Sequence, residues 1–167
     1  LERYMTTELG ELGKKIHLGR SRNDLIASTL RLFVHDEVAK IKNVTQELIL
    51  SIYQRCKGWE KIITPGMTHM QFGQPIRFSH LFSAHGHALK RDLKRLQSSM
   101  TESMEYLPLG SAAFAGTHIR LDLAALAKDL GFQSPVINSY DAVSDRDYML
   151  SALNAFAVQA MHLSRLC

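Results

Sequence analysis

Apolar residues through the middle of the chain recur at steps of three and four. Ile26, Leu30, Val34, Val38, Ile41, Val44, Leu48, Ile52 and Cys56 form one such series. The spacing predicts an amphipathic helix over 21–57, its stripe running about eight to nine turns. Gly58 supplies the stop. A second series, Phe78, Leu81, Phe82, His85, Leu89, Leu93, Leu96 and Met100, predicts a helix over 76–104, with Pro75 suited to its first turn. A third predicts a helix over 142–166 through Val143, Met149 or Leu150, Leu153, Phe156, Ala160 and Leu163, capped by Asp141 or Ser144. Shorter helices are expected at 1–12, with Leu1, Tyr4 or Met5, Leu9 and Leu12 on one side and Gly13 ending it, and at 121–130, ended by Gly131. No segment alternates convincingly as a strand. The pattern therefore predicts an all-α fold, a single domain over 1–167 built as a long-helix bundle. Stripes this long need partners over their whole length, so other subunits are expected to complete the bundle, with the long helices nearly antiparallel. The mixed spacing and polar connections argue against a simple coiled coil.

The connections hold the candidate chemistry. Gly19-Arg20-Ser21-Arg22-Asn23-Asp24 opens the first long helix. Free N–H groups and the positive dipole end there favour an anion, and arginines add planar, bidentate donors. The alternative is a solvated cap: Ser21 or Asn23 caps the helix, Asp24 sits in the first turn, and the arginines face water. Residues 59–75 break the helical pattern. Thr64-Pro65-Gly66 signals a turn, followed by Thr68, His69, Gln71 and Gln74 among apolar neighbours. His69 could serve as a general acid or base, since imidazole titrates near neutrality, or could only hydrogen-bond a neighbouring helix. Leu107 to Gly116 is a loop of small residues, which allows close ligand approach or equally a tight helix crossing. His80, His85 and His87 offer no helical pair at three or four, so no metal site is expected.

Composition narrows the classes. The chain has 167 residues and is 46% hydrophobic, enough for a real core, and no apolar run approaches the ~20 residues of a membrane span. A formal charge of +4, from dispersed basic residues, makes nucleic acid a poor partner. Cys56 and Cys167 form no disulfide framework or metal-spaced pair, which fits a reducing cytoplasm. Leu1-Glu2-Arg3-Tyr4 lacks the apolar core of a secretory signal, and both ends read as cut, so a fragment is expected.

These residues carry a resemblance. Lys14 to Asp24, Pro65-Gly66-Met67-Thr68-His69-Met70-Gln71 with Gln74-Pro75, and Leu107-Pro108-Leu109-Gly110-Ser111 resemble conserved blocks of the argininosuccinate lyase family, in the aspartase/fumarase superfamily. Asn138-Ser139, Asp141-Ala142, Ser144 and Arg146-Asp147 continue in the family's order, so the resemblance covers essentially the whole chain. It implies a cofactor-free β-elimination of argininosuccinate to arginine and fumarate, in arginine biosynthesis, by a cytoplasmic homotetramer. It further implies that Asn23 holds substrate with Ser21 and Arg22 beside it, that Thr68 bonds a substrate carboxylate, and that His69 is the acid/base group; His17 and Ser111 are weaker candidates for the site wall. Small molecules and self-association are then the expected partners, with no nucleic acid, membrane or metal. Other readings are a different fumarate-releasing lyase of the superfamily, a catalytically silent structural relative, or a helical interaction module.

The chain departs from the family pattern in three places. Leu25 follows the Asn-Asp pair where the family usually has Gln, and Thr117-His118-Ile119-Arg120 replaces a usual Asn-Pro-Leu-Gly. The third signature, Ser-Ser-x-Met-Pro-x-Lys-x-Asn, with the serine base and a substrate lysine, is not among these residues; Ser98-Ser99-Met100 only echoes it inside a helix. At ~1.5 Å per residue the first long helix spans ~50 Å between Asn23 and the His69 loop, so a complete site is expected to combine chains. The 167 residues alone are therefore expected not to release fumarate from argininosuccinate. Ultraviolet absorbance of fumarate checks this; robust turnover by the purified chain would place a proton acceptor among these residues.

Overall fold

The computed structural model describes residues 2–167, so Leu1 of the first predicted helix lies outside the described residues. Helices dominate: α1 Glu2–Leu9, a 3₁₀ helix Gly10–His17, α2 Arg22–Gly58, α3 Phe78–Ser103, α4 Leu123–Asp129, α5 Ser139–Ser144 and α6 Asp147–Leu166. Two small sheets accompany them, β1 Ile63–Thr68 with β2 Gln71–Arg77, and β3 Tyr106–Leu107 with β4 Ser134–Pro135. The fold is helical, as the apolar spacing predicts, but the chain uses strands that the spacing does not show. It forms two compact units, one of the residues up to Val34 with Glu102–Tyr148, the other of His35–Thr101 with Met149–Cys167.

The buried side of α2 coincides with the apolar series only in part. Asp24, Ala27, Ser28, Arg31, Val38, Thr45, Ile49, Ile52 and Cys56 are buried, whereas Ile26, Ile41 and Val44 of that series are exposed, as are Phe33 and Leu50. Asp24, Arg31, Val38, Thr45 and Ile52 recur every seventh position, the 3.5-residue period of a helix–helix seam. Polar side chains can occupy that seam because each finds partners in the fold, which a hydropathy pattern does not register.

In the first unit, Met104, Leu107, Leu109, Ala127 and Phe132 form the core, with Leu32, Leu126 and Leu130 packed on it. Arg31 donates from Nη1 to the carbonyls of Glu102 at 3.2 Å and Ser103 at 3.4 Å, closing the last turn of α3. Its guanidinium pairs with Asp145 and lies 4.4 Å from the centre of the Tyr148 ring. Asp122 caps α4 by accepting from the Ala125 N–H at 2.9 Å. The predicted last helix is instead split. Asn138 caps α5, the chain extends at Asp145, and Asp145 accepts from the Asp147 N–H at 2.8 Å to start α6. Thus Asp145, rather than Asp141 or Ser144, caps the final helix. Gly13 does not end the first helix either. It is buried in the 3₁₀ segment, where a Cβ would lie 2.5 Å from the Met5 carbonyl oxygen.

The second unit packs Ile49, Ile52, Cys56 and Leu89 together, with Leu48, Tyr53, Phe82, Leu93, Leu163 and Leu166 against them. Trp59 meets Phe78 and Phe82 edge-on, each with ring centres 5.1 Å apart. Asp92 is completely buried and holds α6 to α3 by its contact with His162 Nδ1 at 2.7 Å, while Arg95 donates to its other oxygen at 3.0 Å. Gln159 donates to the Thr45 hydroxyl at 2.7 Å within the same unit. Asp92→Ala removes the shared acceptor, and charge-assisted hydrogen bonds contribute about 1.5–3 kcal/mol each. We expect the variant to lose about 2–3 kcal/mol of stability in denaturant titration; an unchanged midpoint would show that His162 and Arg95 find other partners.

Candidate active site

The first candidate region is built around the start of α2. Ser21 precedes the helix, and its Oγ accepts from the Asn23 N–H at 3.3 Å. Asp24 reaches back with Oδ1 to the Ser21 N–H at 2.9 Å. This is the reciprocal logic of a capping box, with Asp at the third helical position. Asp24 Oδ2 turns the other way and accepts from the N–H groups of Gly110 at 3.2 Å and Ala112 at 2.8 Å. The Asp24 carboxylate is 0% exposed and acceptor-only, so three N–H donors suit it.

The loop it grips has unusual backbone. Gly110 has φ 99°, Ala112 φ 50° and Gly116 φ 81°. A side chain at Gly110 would be strained by its φ and would also have to move Leu123 Cδ2, 2.4 Å from the Cβ position. Asn23 Nδ2 donates to the Ala113 carbonyl at 3.0 Å, which brings Asn23 onto the loop that carries Ser111. Ser111 is buried and its Oγ has no hydrogen-bond partner. Arg22 begins the helix and is exposed, as is His17 at the end of the 3₁₀ helix. Ser21, Asn23 and Ser111 thus share one corner of the first unit. The helix start does act as a cap, and its acceptors are supplied by the chain itself.

Thr68 and His69 belong to the second unit. The stretch expected to be a loop is a β-hairpin in which Thr68 pairs with Gln71, leaving His69 and Met70 as a two-residue turn. Both have positive φ, 50° and 62°, as a type I′ turn demands, although Asn and Gly are the residues that suit it. Left-handed backbone is disfavoured in Met, so the turn stores strain of the kind found at functional positions. Thr68, His69 and Met70 are all exposed. The hairpin escaped the sequence pattern because its two faces are both largely exposed, so no alternation is selected. Its prolines, Pro65 opposite Pro75, are tolerated because a two-stranded ribbon has only edge strands.

Other features suit the chemistry less well. A cavity of about 230 Å³ in the first unit is lined by Glu102, Glu105, Asp141, Asp145 and Asp147 beside Arg31, a poor host for a dicarboxylate. Among the described residues no three His, Cys, Asp or Glu side chains are grouped to hold a metal, and no helix is long and apolar enough to cross a membrane. Burial pushes the Cys56 thiol up, which marks it as a packing residue rather than a nucleophile. What sequence reasoning missed is the double role of Asp24. Its signal was an acidic residue in register with the buried Arg31 and Val38, seven and fourteen positions on.

The sequence profile of the lyase family matches residues 2–167. The argininosuccinate lyase of Thermoanaerobacter sp. (strain X514) is 42% identical over 167 residues, all of this chain and 38% of that protein. The chain therefore spans about two fifths of the length of the relatives it matches. An EDDS lyase variant solved with bound fumarate superposes with a TM-score of 0.92 at 28% identity, over 99% of this chain and 33% of the other. A class II fumarase from Schistosoma mansoni, 21% identical, shares the fold with a TM-score of 0.78 over 90% of this chain and 36% of its own.

The strained turn generates a test. Met70→Gly places the residue that tolerates positive φ at the second turn position, and left-handed backbone costs an L-residue roughly 1–2 kcal/mol. We expect the hairpin amides of this variant to exchange with deuterium several-fold more slowly than those of the parent. Faster exchange would mean that Met70 has contacts worth more than the strain.

Proposed function

Because this chain belongs to the lyase family, we propose that the intact enzyme is an argininosuccinate lyase, splitting argininosuccinate into arginine and fumarate without a cofactor. The observation that carries this reading is the 42% identity to an argininosuccinate lyase along the full length of the chain. In the reaction a base removes a proton beside a carboxylate, the electron pair moves into that carboxylate as an aci-form, and the C–N bond breaks as the leaving guanidino nitrogen is protonated. Such chemistry requires clamps on two carboxylates and fixed dipoles at the developing charge.

We assign the clamps to residues already placed. Asn23 holds substrate at the capped start of α2, with Ser21 and Arg22 beside it. Accepting from the Asn23 N–H leaves the Ser21 hydroxyl hydrogen for a substrate oxygen. Arg22 offers an exposed, planar donor pair for a carboxylate. Thr68 donates to the second carboxylate from the hairpin, and His69 at its apex is the acid/base group. His17 and Ser111 belong to the wall. The serine base and the second-carboxylate lysine come from outside these residues, and the complete site draws on more than one chain of a cytoplasmic homotetramer.

His69→Asn in the intact enzyme is the test. General acid/base groups contribute about 10²- to 10⁴-fold, and a group acting mainly in the transition state shows in kcat rather than KM. We expect kcat for fumarate release to fall about 10²-fold or more, with KM changed only a few-fold. A variant that keeps its kcat and raises KM makes His69 a binding residue. Failure of the unmodified enzyme to release fumarate from argininosuccinate would move it to another member of the family.

A further inference from the structure

We propose that Asp24 is a positioning residue of this site, holding the Asn23 amide and the 110–113 loop in the geometry that receives substrate. The inference rests on the reading that Asn23 binds substrate. Three observations lead to it. Asp24 is completely buried, so its carboxylate does not itself meet solvent or ligand. It accepts N–H groups from both sides of the corner, Ser21 on one and Gly110 and Ala112 on the other. The two loop donors flank Ser111, and the next residue, Ala113, accepts from the Asn23 side chain at 3.0 Å.

The chain of dependence runs in one direction. The Asp24 carboxylate holds Ala112 in left-handed backbone, φ 50°, which an alanine does not adopt unaided. That conformation sets the Ala113 carbonyl where it meets Asn23 Nδ2. A carbonyl partner admits only the NH₂ side of the amide, so the Asn23 Oδ1 is directed to the remaining side as a fixed acceptor. One buried group thereby fixes which atom of Asn23 is offered to the substrate. The requirement is for two acceptor oxygens. An asparagine at this position has the same size, but sets its own NH₂ against at least one of the three N–H groups.

The experiment uses the intact enzyme and measures fumarate release from argininosuccinate. Asp24→Asn is expected to lower kcat/KM about 100-fold, the scale of a misplacement of roughly 1 Å at a reacting group. If Asp24 acts through Asn23, the same change made in an Asn23→Ala background lowers kcat/KM further by less than about threefold. Circular dichroism and thermal unfolding confirm that the variants fold. If Asp24→Asn does not fold, Gly110→Ala replaces it, because an alanine at φ 99° strains the loop while the carboxylate stays; the same loss and the same non-additivity are expected. Activity within twofold of the parent, or an equal loss in both backgrounds, overturns the proposal. Hydrogen exchange separates this from failure of the functional reading. The Gly110 and Ala112 amides are expected to be strongly protected in the unmodified enzyme whatever it catalyses, and free exchange there overturns the clamp itself.

Discussion

The Asp24 carboxylate is the constraint on which the first unit depends. A buried carboxylate with no partners is strongly unfavourable, and this one is accommodated by three backbone N–H groups. One oxygen closes the start of α2. The other reaches chain 86 and 88 residues further on, so the helix and the loop cannot be placed independently. The left-handed residues of that loop and the Asn23 contact follow from this attachment. Ser139 then extends it, donating from its hydroxyl to the Phe114 carbonyl at 2.8 Å.

The same helix shows how buried polarity selects a face. Its N-terminal half turns Asp24, Ser28 and Arg31 inward, its C-terminal half Ile49, Ile52 and Cys56. Ser28 returns its hydroxyl to the Asp24 carbonyl at 2.8 Å, and Arg31 is paired, hydrogen-bonded and stacked on Tyr148. Burying such groups adds little net stability, because desolvation offsets most of the attraction. Its effect here is on orientation: any other rotation of the helix would leave these groups buried without partners or strand their partners. The apolar side chains at Ile26, Phe33, Ile41 and Val44 consequently lie on the exposed faces.

The hairpin follows a different principle. It contributes no residue to the buried core of its unit, and its strands are exposed over most of their length. Its form comes from pairing: Ile63–Thr68 and Gln71–Arg77 run antiparallel in one ribbon, with an irregularity between Pro65 and Met67. Pairing of Thr68 with Gln71 leaves only two residues to turn the chain. His69 therefore takes a conformation that its own preference would not select.

The existence of the long helices α2 and α3 and the motif blocks were legible in the sequence itself. Apolar steps of three and four and Gly58 behind Lys57 act over a few residues, so local chemistry is enough to read them; Pro75, expected in the first turn of α3, instead lies in β2 opposite Pro65. Four matters needed the folded chain. The inward face of α2 was settled by partners of Asp24 and Arg31 that lie 71 to 114 positions away. The cap of α6 passed to Asp145, which Arg31 also engages, and Gly13 proved to be a contact with Met5 rather than a stop. The hairpin carries no alternation because water bathes both its faces. Periodicity records which side chains avoid water, and these four features arise from hydrogen bonds and close approaches between residues distant in the chain or exposed to solvent.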